Sequence, residues 1–435
     1  MSLFRRYLKI PLVWKVVTGL VLGVVLGLTL GENAEVLAPI GQVFLRLLIM
    51  LALPVVFVML IQGIMSVDPK AVGRMGAKIL TYYFVTGLVA VALGLGLGLL
   101  FNPGKSLSGQ TAEAPTAPGD TDWVKFLIDI FPENLFSGVV GTSPVTIVIV
   151  ACLIAMPLSV LRYSKNASVR RGVQAIEDVT VALGEAISML IRAVLQFAPI
   201  GLAALIARGI GTSGGGNVLG ELGMLLLTVI IGCLLMLTVY AILMRAWGMK
   251  PLQYFRVTKE PTLMGFTTRS SSASLPVVIR SAEVGGASRS VAGFALPLGV
   301  QLNSDGSALT LGIYAVFAAN FGGIDLAFGD LVVIAIIASL AAIGSGTVPG
   351  GQLVAMSVVF AQAGLPLAAL GLIAAIDQPL GMMLTAVNVN GDLAGTFIVA
   401  KSEDQLDPRS PLVGGSGIPL KEITTVVDDA DYEDA

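Results

Sequence analysis

The chain has 435 residues, of which 55% are hydrophobic and only 12% charged, with a formal charge of -2 and 51 glycines. Its mean hydropathy of +0.88 is far too high for a soluble protein of this length, which excludes soluble enzymes and nucleic-acid binders and leaves a polytopic helical membrane protein. Histidine is absent, which removes the commonest zinc ligand and the usual general base, and both cysteines lie in apolar runs, so no disulfide or thiolate metal site is implied.

The basic flank around Arg5, Arg6 and Lys9 precedes an apolar run too long for a signal peptide, read as an uncleaved first span. Further spans are expected over 36–64, 77–101, 122–161, 173–209 and 218–247, several long enough to cross tilted or broken. Basic residues collect in every second loop: Lys70, Arg74 and Lys78 after the second span, Arg162, Lys165, Arg170 and Arg171 after the fourth, Arg245, Lys250, Arg256 and Lys259 after the sixth. The positive-inside rule puts those loops and the N-terminus in the cytoplasm.

Beyond Lys250 the pattern changes. Segments 250–283 and 328–364 are each interrupted by small and polar residues, Arg269-Ser270-Ser271-Ser272-Ala273-Ser274 in one and Gly344 to Gln352 in the other. Isolated Ser- or Gly-rich tracts are most often plain linkers. Embedded in apolar sequence, these two predict re-entrant hairpins, each a pair of short helices around a non-helical tip. Each hairpin is followed by a span with an Asn and Asp pair, Asn303 with Asp305 and Asn388 with Asp392, which suggests an inverted repeat with the site where its halves meet.

Two of these spans carry chemistry. In the first, Gly299, Asn303, Asp305 and Gly306 would let a helix unwind and free carbonyl oxygens beside a carboxylate and an amide, an all-oxygen set suited to a hard cation such as sodium. In the second, at about 100° per residue, Asp377, Gly381, Leu384, Thr385, Asn388 and Asp392 fall in one polar stripe about 100° wide on a greasy helix. Carboxylates at membrane depth normally line a solute or ion path. The bland alternative, a turn at Asn390-Gly391-Asp392, is opposed by the apolar run that resumes at Leu393. The hairpin tips, at Ser270 to Ser272 and Gly350 to Gln352, would present helix N-termini suited to a carboxylate.

The motifs Thr268-Arg269-Ser270-Ser271-Ser272-x-Ser274-Leu275-Pro276, Asn303-Ser304-Asp305-Gly306-Ser307, Val348-Pro349-Gly350 and Asn388-Val389-Asn390-Gly391-Asp392, in that order, resemble the signatures of the dicarboxylate/amino acid:cation symporters, the glutamate transporter homologues. Thr81 to Thr86 and Gln196 to Gly201 are also similar to family patterns, so the resemblance covers nearly the whole chain. It implies an all-α protein with eight transmembrane helices, two re-entrant hairpins and inverted repeats, working as a homotrimeric elevator among membrane lipids, in a bacterial inner membrane with both termini cytoplasmic. Residues 1–76 and 102–209 would form the scaffold, 77–101 and 210–402 the mobile transport domain, and 403–435 an acidic cytoplasmic tail read as disordered. Sodium ligands would be Thr86, Asn303, Asp305, Asn388 and Asp392, with backbone oxygens of Tyr83, Gly299, Gln301, Ser345, Gly346 and Thr347. The small-molecule substrate would meet Ser270, Ser271, Ser307, Val348, Pro349, Gly350, Gln352, Thr385 and Asn388.

Departures from the family pattern bear on the cargo. Where amino acid carriers of this family usually have an Asp for the substrate's amino group and, in acidic amino acid members, an Arg for its side-chain carboxylate, this chain has Gly381 and Leu384. A second carboxylate thereby loses a charge-assisted partner of roughly 1.5 to 3 kcal/mol. Gln352 and Ser304 stand where the family usually has a small residue and a Met. Arg269 is expected to pair with substrate or with Asp377. The expected cargo is a neutral amino acid or a small organic acid, coupled to sodium, with a proton route through Asp377 as the alternative. An intramembrane aspartyl protease using Asp377 with Asp392 or Asp305 would need two carboxylates close enough to share a proton, and a passive channel would need selectivity rings.

Overall fold

The computed structural model describes residues 12–65, 72–108, 134–135, 144–213, 216–345, 351–415 and 417. Among them every regular element is a helix, and the one β-type pairing is an isolated bridge between Ala287 and Leu406. In chain order these are α1 (Leu12–Leu30), α2 (Ala38–Met65), α3 (Ala77–Phe101), α4 (Pro144–Leu161), α5 (Ala167–Ser213), α6 (Gly216–Ala246), α7 (Pro251–Thr268), α8 (Ser271–Val284), α9 (Arg289–Leu302), α10 (Asp305–Gly322), α11 (Phe328–Ser345), α12 (Gly351–Gln362), α13 (Ala368–Ala375) and α14 (Asp377–Ser402), with short 3-10 turns between some of them. Among the described residues five stretches, Thr18–Phe44, Arg74–Phe101, Ala167–Gly211, Val218–Ala246 and Pro379–Ser402, are long and apolar enough to cross a membrane.

Helices α1 and α2 both pack along α5, and α4 packs on α2. Lipid chains are as apolar as leucine, so such packing has little hydrophobic drive and depends on close backbone approach. Gly19, Gly23 and Gly27, four residues apart on one face of α1, supply it. A Cβ there would fall 2.3 Å from the Pro199 carbonyl oxygen, 2.8 Å from that of Ala203 and 2.8 Å from that of Ala207.

A second group is built around α10, which is buried at every position from Asp305 to Ala319 and, beyond the polar residues of its first turns, is apolar on all sides. Helices α3, α6, α11, α12 and α14 surround it. On the α3 side Gly94 leaves no room for a side chain, since its Cβ would lie 2.0 Å from the Leu309 carbonyl oxygen. The two groups meet where α2 touches α9, α11 and α12, and where α5 touches α6 and α13.

The two interrupted segments fold as the sequence predicts. Helices α7 and α8 pack on each other across a turn at Arg269–Ser270, and α11 packs on α12 across residues 346–350, which lie outside the described residues. At 1.5 Å per residue the 14 residues of α8 and 12 of α12 reach only about 21 and 18 Å, short of a hydrocarbon core of about 30 Å. Protein covers α12, whose residues Gly351 to Phe360 are all buried. The turn itself needs Arg269 in the left-handed region, φ 54°, where its N–H closes α7 on Gly265 O at 2.9 Å; Ser270 then caps α8, its side chain accepting from Ala273 N at 3.1 Å.

One sequence expectation holds and another changes. The α9–α10 span breaks at Asn303–Ser304 as foreseen, and α14 begins at Asp377 and runs unbroken through Asn388 to Asp392, as the polar stripe predicts. No turn forms there. The expected disordered tail is wrong for its first part: Ser288 N and Asp407 N bond to Gln405 O and Gly286 O, Lys250 N bonds to Leu412 O, and Ser410 and Leu412 are fully buried. The tail beyond residue 417 lies outside the described residues. Leu406 and Leu412 explain the difference, two apolar residues of an otherwise polar stretch that pack on the core.

Candidate cation and solute site

Four elements deliver polar side chains to one buried place. Asp305 opens α10, Asn303 lies in the break before it, Asn388 and Asp392 lie one turn apart on α14, and Thr86 lies on α3; all five are at most 4% exposed. Asn303 Nδ2 donates to Asp392 Oδ1 at 2.9 Å and lies 3.4 Å from the Asn388 carbonyl oxygen. Asn388 Oδ1 accepts from Gly306 N at 2.7 Å, which ties α14 to the first turn of α10. The Tyr240 hydroxyl of α6 donates to Asp305 Oδ2 at 2.7 Å. Gly391 completes the fit: a Cβ there would lie 2.7 Å from Asn303 Nδ2, 2.7 Å from the Tyr240 hydroxyl and 2.8 Å from Asp305 Oδ2.

Three oxygens in this cluster are left over. Asn303 Oδ1, Asp305 Oδ1 and Asp392 Oδ2 are buried and accept no hydrogen bond. Buried acceptors without donors are costly, and the cost is removed by a cation. Two carboxylates with neutral amide and hydroxyl oxygens suit a hard cation of low charge. Among the described residues no group of three or more His, Cys, Asp or Glu gathers in the manner of a transition-metal centre.

Beside it lie the residues expected from the sequence to meet the solute. The Arg269 guanidinium, from the first hairpin tip, forms an ion pair with Asp377 Oδ2 at 2.8 Å, and both are largely buried. The guanidinium lies against Gly381, where a Cβ would come 2.2 Å from Nη2 and 2.5 Å from Nε. Thr385 Oγ1 donates to Gly381 O at 2.8 Å, and Leu384 is buried with its backbone against Gly306. From the second hairpin Gln352 Nε2 donates to Thr310 Oγ1 at 2.7 Å, with Ser307 O at 3.3 Å, and its Oε1 is buried without a partner. Ser271 and Ser307 are buried nearby in sequence and element. Ser270 spends its hydroxyl on the α8 cap.

Of the expected cation ligands, Thr86, Asn303, Asp305, Asn388 and Asp392 therefore come together. Tyr83 and Gly299 lie with them, a Cβ on Gly299 meeting the Tyr83 hydroxyl at 2.5 Å and Asp392 Oδ1 at 2.7 Å, though Gly299 O already accepts from Asn303 N at 2.7 Å. The Cβ of Gln301 faces Gly63 of α2. Ser345 ends α11, and Gly346, Thr347, Val348, Pro349 and Gly350 lie outside the described residues. Sequence reasoning missed Tyr240 and Gly391. The first had a signal, a tyrosine in an apolar span; the second shows only once its neighbours are placed. It also missed the brace on the far side, where the Tyr254 hydroxyl donates to Asn390 O at 2.7 Å and Asn390 Nδ2 to Thr262 Oγ1 at 2.8 Å.

Half-crossing hairpins meeting broken or charged spans over buried orphan oxygens are the construction of a secondary transporter. Residues 12–402 match the family model of the sodium:dicarboxylate symporter family. The chain belongs to that family, whose members carry solutes and are not enzymes. It is 29% identical to the proton/glutamate-aspartate symporter of Escherichia coli over 93% of this chain and 96% of that one. It is 29% identical to the neutral amino acid transporter B(0) of Oryctolagus cuniculus over 85% of this chain and 74% of that one. With the C4-dicarboxylate transport protein of Deinococcus deserti the identity is 29% over 86% and 85%.

Proposed function

We propose that the protein is a sodium-coupled symporter of a small organic solute, a neutral amino acid or a small organic acid. The observation that carries this reading is the set of orphaned buried oxygens on Asn303, Asp305 and Asp392. A sodium ion is a fitting cargo there, because buried oxygens of this kind, two of them on carboxylates, suit a hard cation of low charge. Solute and ion sites share α14, so binding of one orders the other. The E. coli relative is named for protons, which makes a proton-coupled organic acid carrier the second reading. Against it, Asp377, its candidate proton carrier, is ion-paired with Arg269. Gly381 and Leu384 argue against acidic amino acids as cargo.

Under this reading residues 77–101 and 210–402 carry the solute past a scaffold of 1–76 and 102–209, in a homotrimer with both termini cytoplasmic. Two observations support that division and orientation. The α1, α2, α4 and α5 group packs mainly on itself. Basic Arg74, Lys78 and Lys250 gather with the segment after α14, while Pro103, Gly104 and Ser106 gather with Glu221 and Asn320. Uptake into proteoliposomes tests coupling directly. Accumulation of solute driven by an inward sodium gradient is expected; accumulation on a proton gradient without sodium would overturn it.

A further inference from the structure

The α7–α8 hairpin has an open end as well as a tip, and there the two helices border a cavity of about 560 Å³. Arg256, Lys259 and Glu260 line it from the first turns of α7, Arg280 and Ser281 from the end of α8, and Pro411 from the segment after α14. Spacing explains the convergence. Residues three and four apart share a helix face, so Arg256, Lys259, Glu260 and Leu263 form one stripe along the α7 wall of the cavity.

The three cations are unspent. Arg256, Lys259 and Arg280 enter no ion pair or hydrogen bond among the described residues. Other basic residues toward this end of the molecule do find carboxylates: Arg74 has Glu403 at 2.8 Å, Arg289 has Glu283 at 3.1 Å and Arg409 has Asp407 at 3.0 Å. With Glu260 as its one carboxylate, the cavity keeps a net charge of +2. Solvated basic residues are ordinary on a cytoplasmic face, but these ring one cavity from two different helices. Ser281, which also lines it, is only 7% exposed, and its hydroxyl makes no hydrogen bond among the described residues, so it too has a donor to give.

We propose that this cavity binds a phosphate monoester, whether on a small soluble molecule or as the headgroup of an anionic lipid, through Arg256, Lys259 and Arg280. At pH 7 such a group carries a charge of about −1.5 to −2 and three acceptor oxygens, which matches the charge of the cavity. Guanidinium forks on facing helices take phosphate oxygens in pairs. Leu263 and Pro411 give the organic part of the ligand an apolar wall. Arg269 and Ser270 stand at the opposite end of the hairpin, so the site is separate from the candidate cation and solute residues and independent of the cargo and the coupling ion.

Binding to the purified full chain at low salt tests it in two arms. Adenosine monophosphate is compared with adenosine by calorimetry, and labelled phosphatidic acid with phosphatidylcholine in mixed micelles. Saturable binding of at least one monoester is expected, with its neutral or diester counterpart at least about tenfold weaker and affinity falling as salt rises. Arg256→Ala and Arg280→Ala should each weaken it by about tenfold or more, and Glu260→Gln, which removes the one negative charge, should strengthen it severalfold. All three side chains are exposed, so size-exclusion profiles should match the wild type. Binding in the first arm alone identifies a soluble ligand, and in the second alone a lipid. No binding in either arm overturns the inference, as does adenosine binding as tightly as its monophosphate, or an affinity that all three substitutions leave unchanged.

Discussion

Gly391 and Tyr240 carry no cation-binding oxygen of their own in the proposed site, yet they set its size. A methyl group on Gly391 would press on Asn303 Nδ2, the Tyr240 hydroxyl and Asp305 Oδ2 at once, in a space already closed. Overpacking of this kind costs roughly 1 to 3 kcal/mol. Gly391→Ala is therefore expected to weaken apparent sodium affinity in uptake assays by about tenfold or more; unchanged sodium dependence would show that the cluster is not the ion site. Tyr240→Phe removes a hydrogen bond to a buried carboxylate, worth roughly 1.5 to 3 kcal/mol. Its thermal unfolding should drop measurably, and sodium should restore part of the loss, because an ion bound only by the folded state stabilises it. A drop that sodium leaves untouched would separate Tyr240 from the ion site.

Among elements, α1 depends on a glycine stripe and α14 on a charged clasp. Gly23→Leu would drive a side chain into the Ala203 carbonyl of α5, at or above the upper end of the 1 to 3 kcal/mol range for overpacking. Loss of folded protein on size-exclusion is the expected result, whereas Gly220→Leu, with nothing within 4 Å of its Cβ position, should fold normally. At the end of α14 Glu403 joins Arg74, at 2.8 Å, and Lys78 to close α3 against α14. Hydrogen bonds from Arg74 and then Lys78 hold the Glu403 carboxyl at about 2, below its ordinary 4.5. The folded pKa is the lower one, so the clasp's contribution is complete above pH 4.5 and fades as pH falls toward 2. The melting-temperature gap between wild type and Glu403→Gln should be small, given how exposed Arg74 is, and should close over that window. A gap that stays constant down to the lowest pH measured would assign the effect to something other than this carboxylate.

For the whole molecule the question is whether the α10-centred group moves against α2 and α5. The Cβ position of Gly63 on α2 lies 3.8 Å from Gln301 Cβ on α9, the separation typical of a disulfide. In a chain with Cys152 and Cys233 replaced, the double variant Gly63→Cys with Gln301→Cys should cross-link on mild oxidation, stop uptake and recover on reduction. Full-rate uptake by the fully cross-linked protein would rule out an elevator motion across this contact.

The sequence by itself determined the membrane class, the family, the helix pairs on either side of both interruptions and most of the buried polar residues that gather in the candidate cation site. Composition is a bulk property, and Asn, Asp, Ser and Gly inside apolar runs stand out because lipid leaves them no other use. The apolar run that resumes at Leu393 already argued against a turn at Asn390-Gly391-Asp392; what local pattern could not show is the reason the helix stays whole there, burial against α7 and α10 with Asn390 braced by Tyr254 and Thr262. Nor could it order the segment after α14, which Leu412 anchors by contacts distant in sequence. Tertiary structure alone set Arg269 against Gly381, because a missing side chain has no meaning until another residue is seen to fill its space. Charge at a site is a matter of which groups meet, and only the folded chain brings residues 108 positions apart to within 2.8 Å.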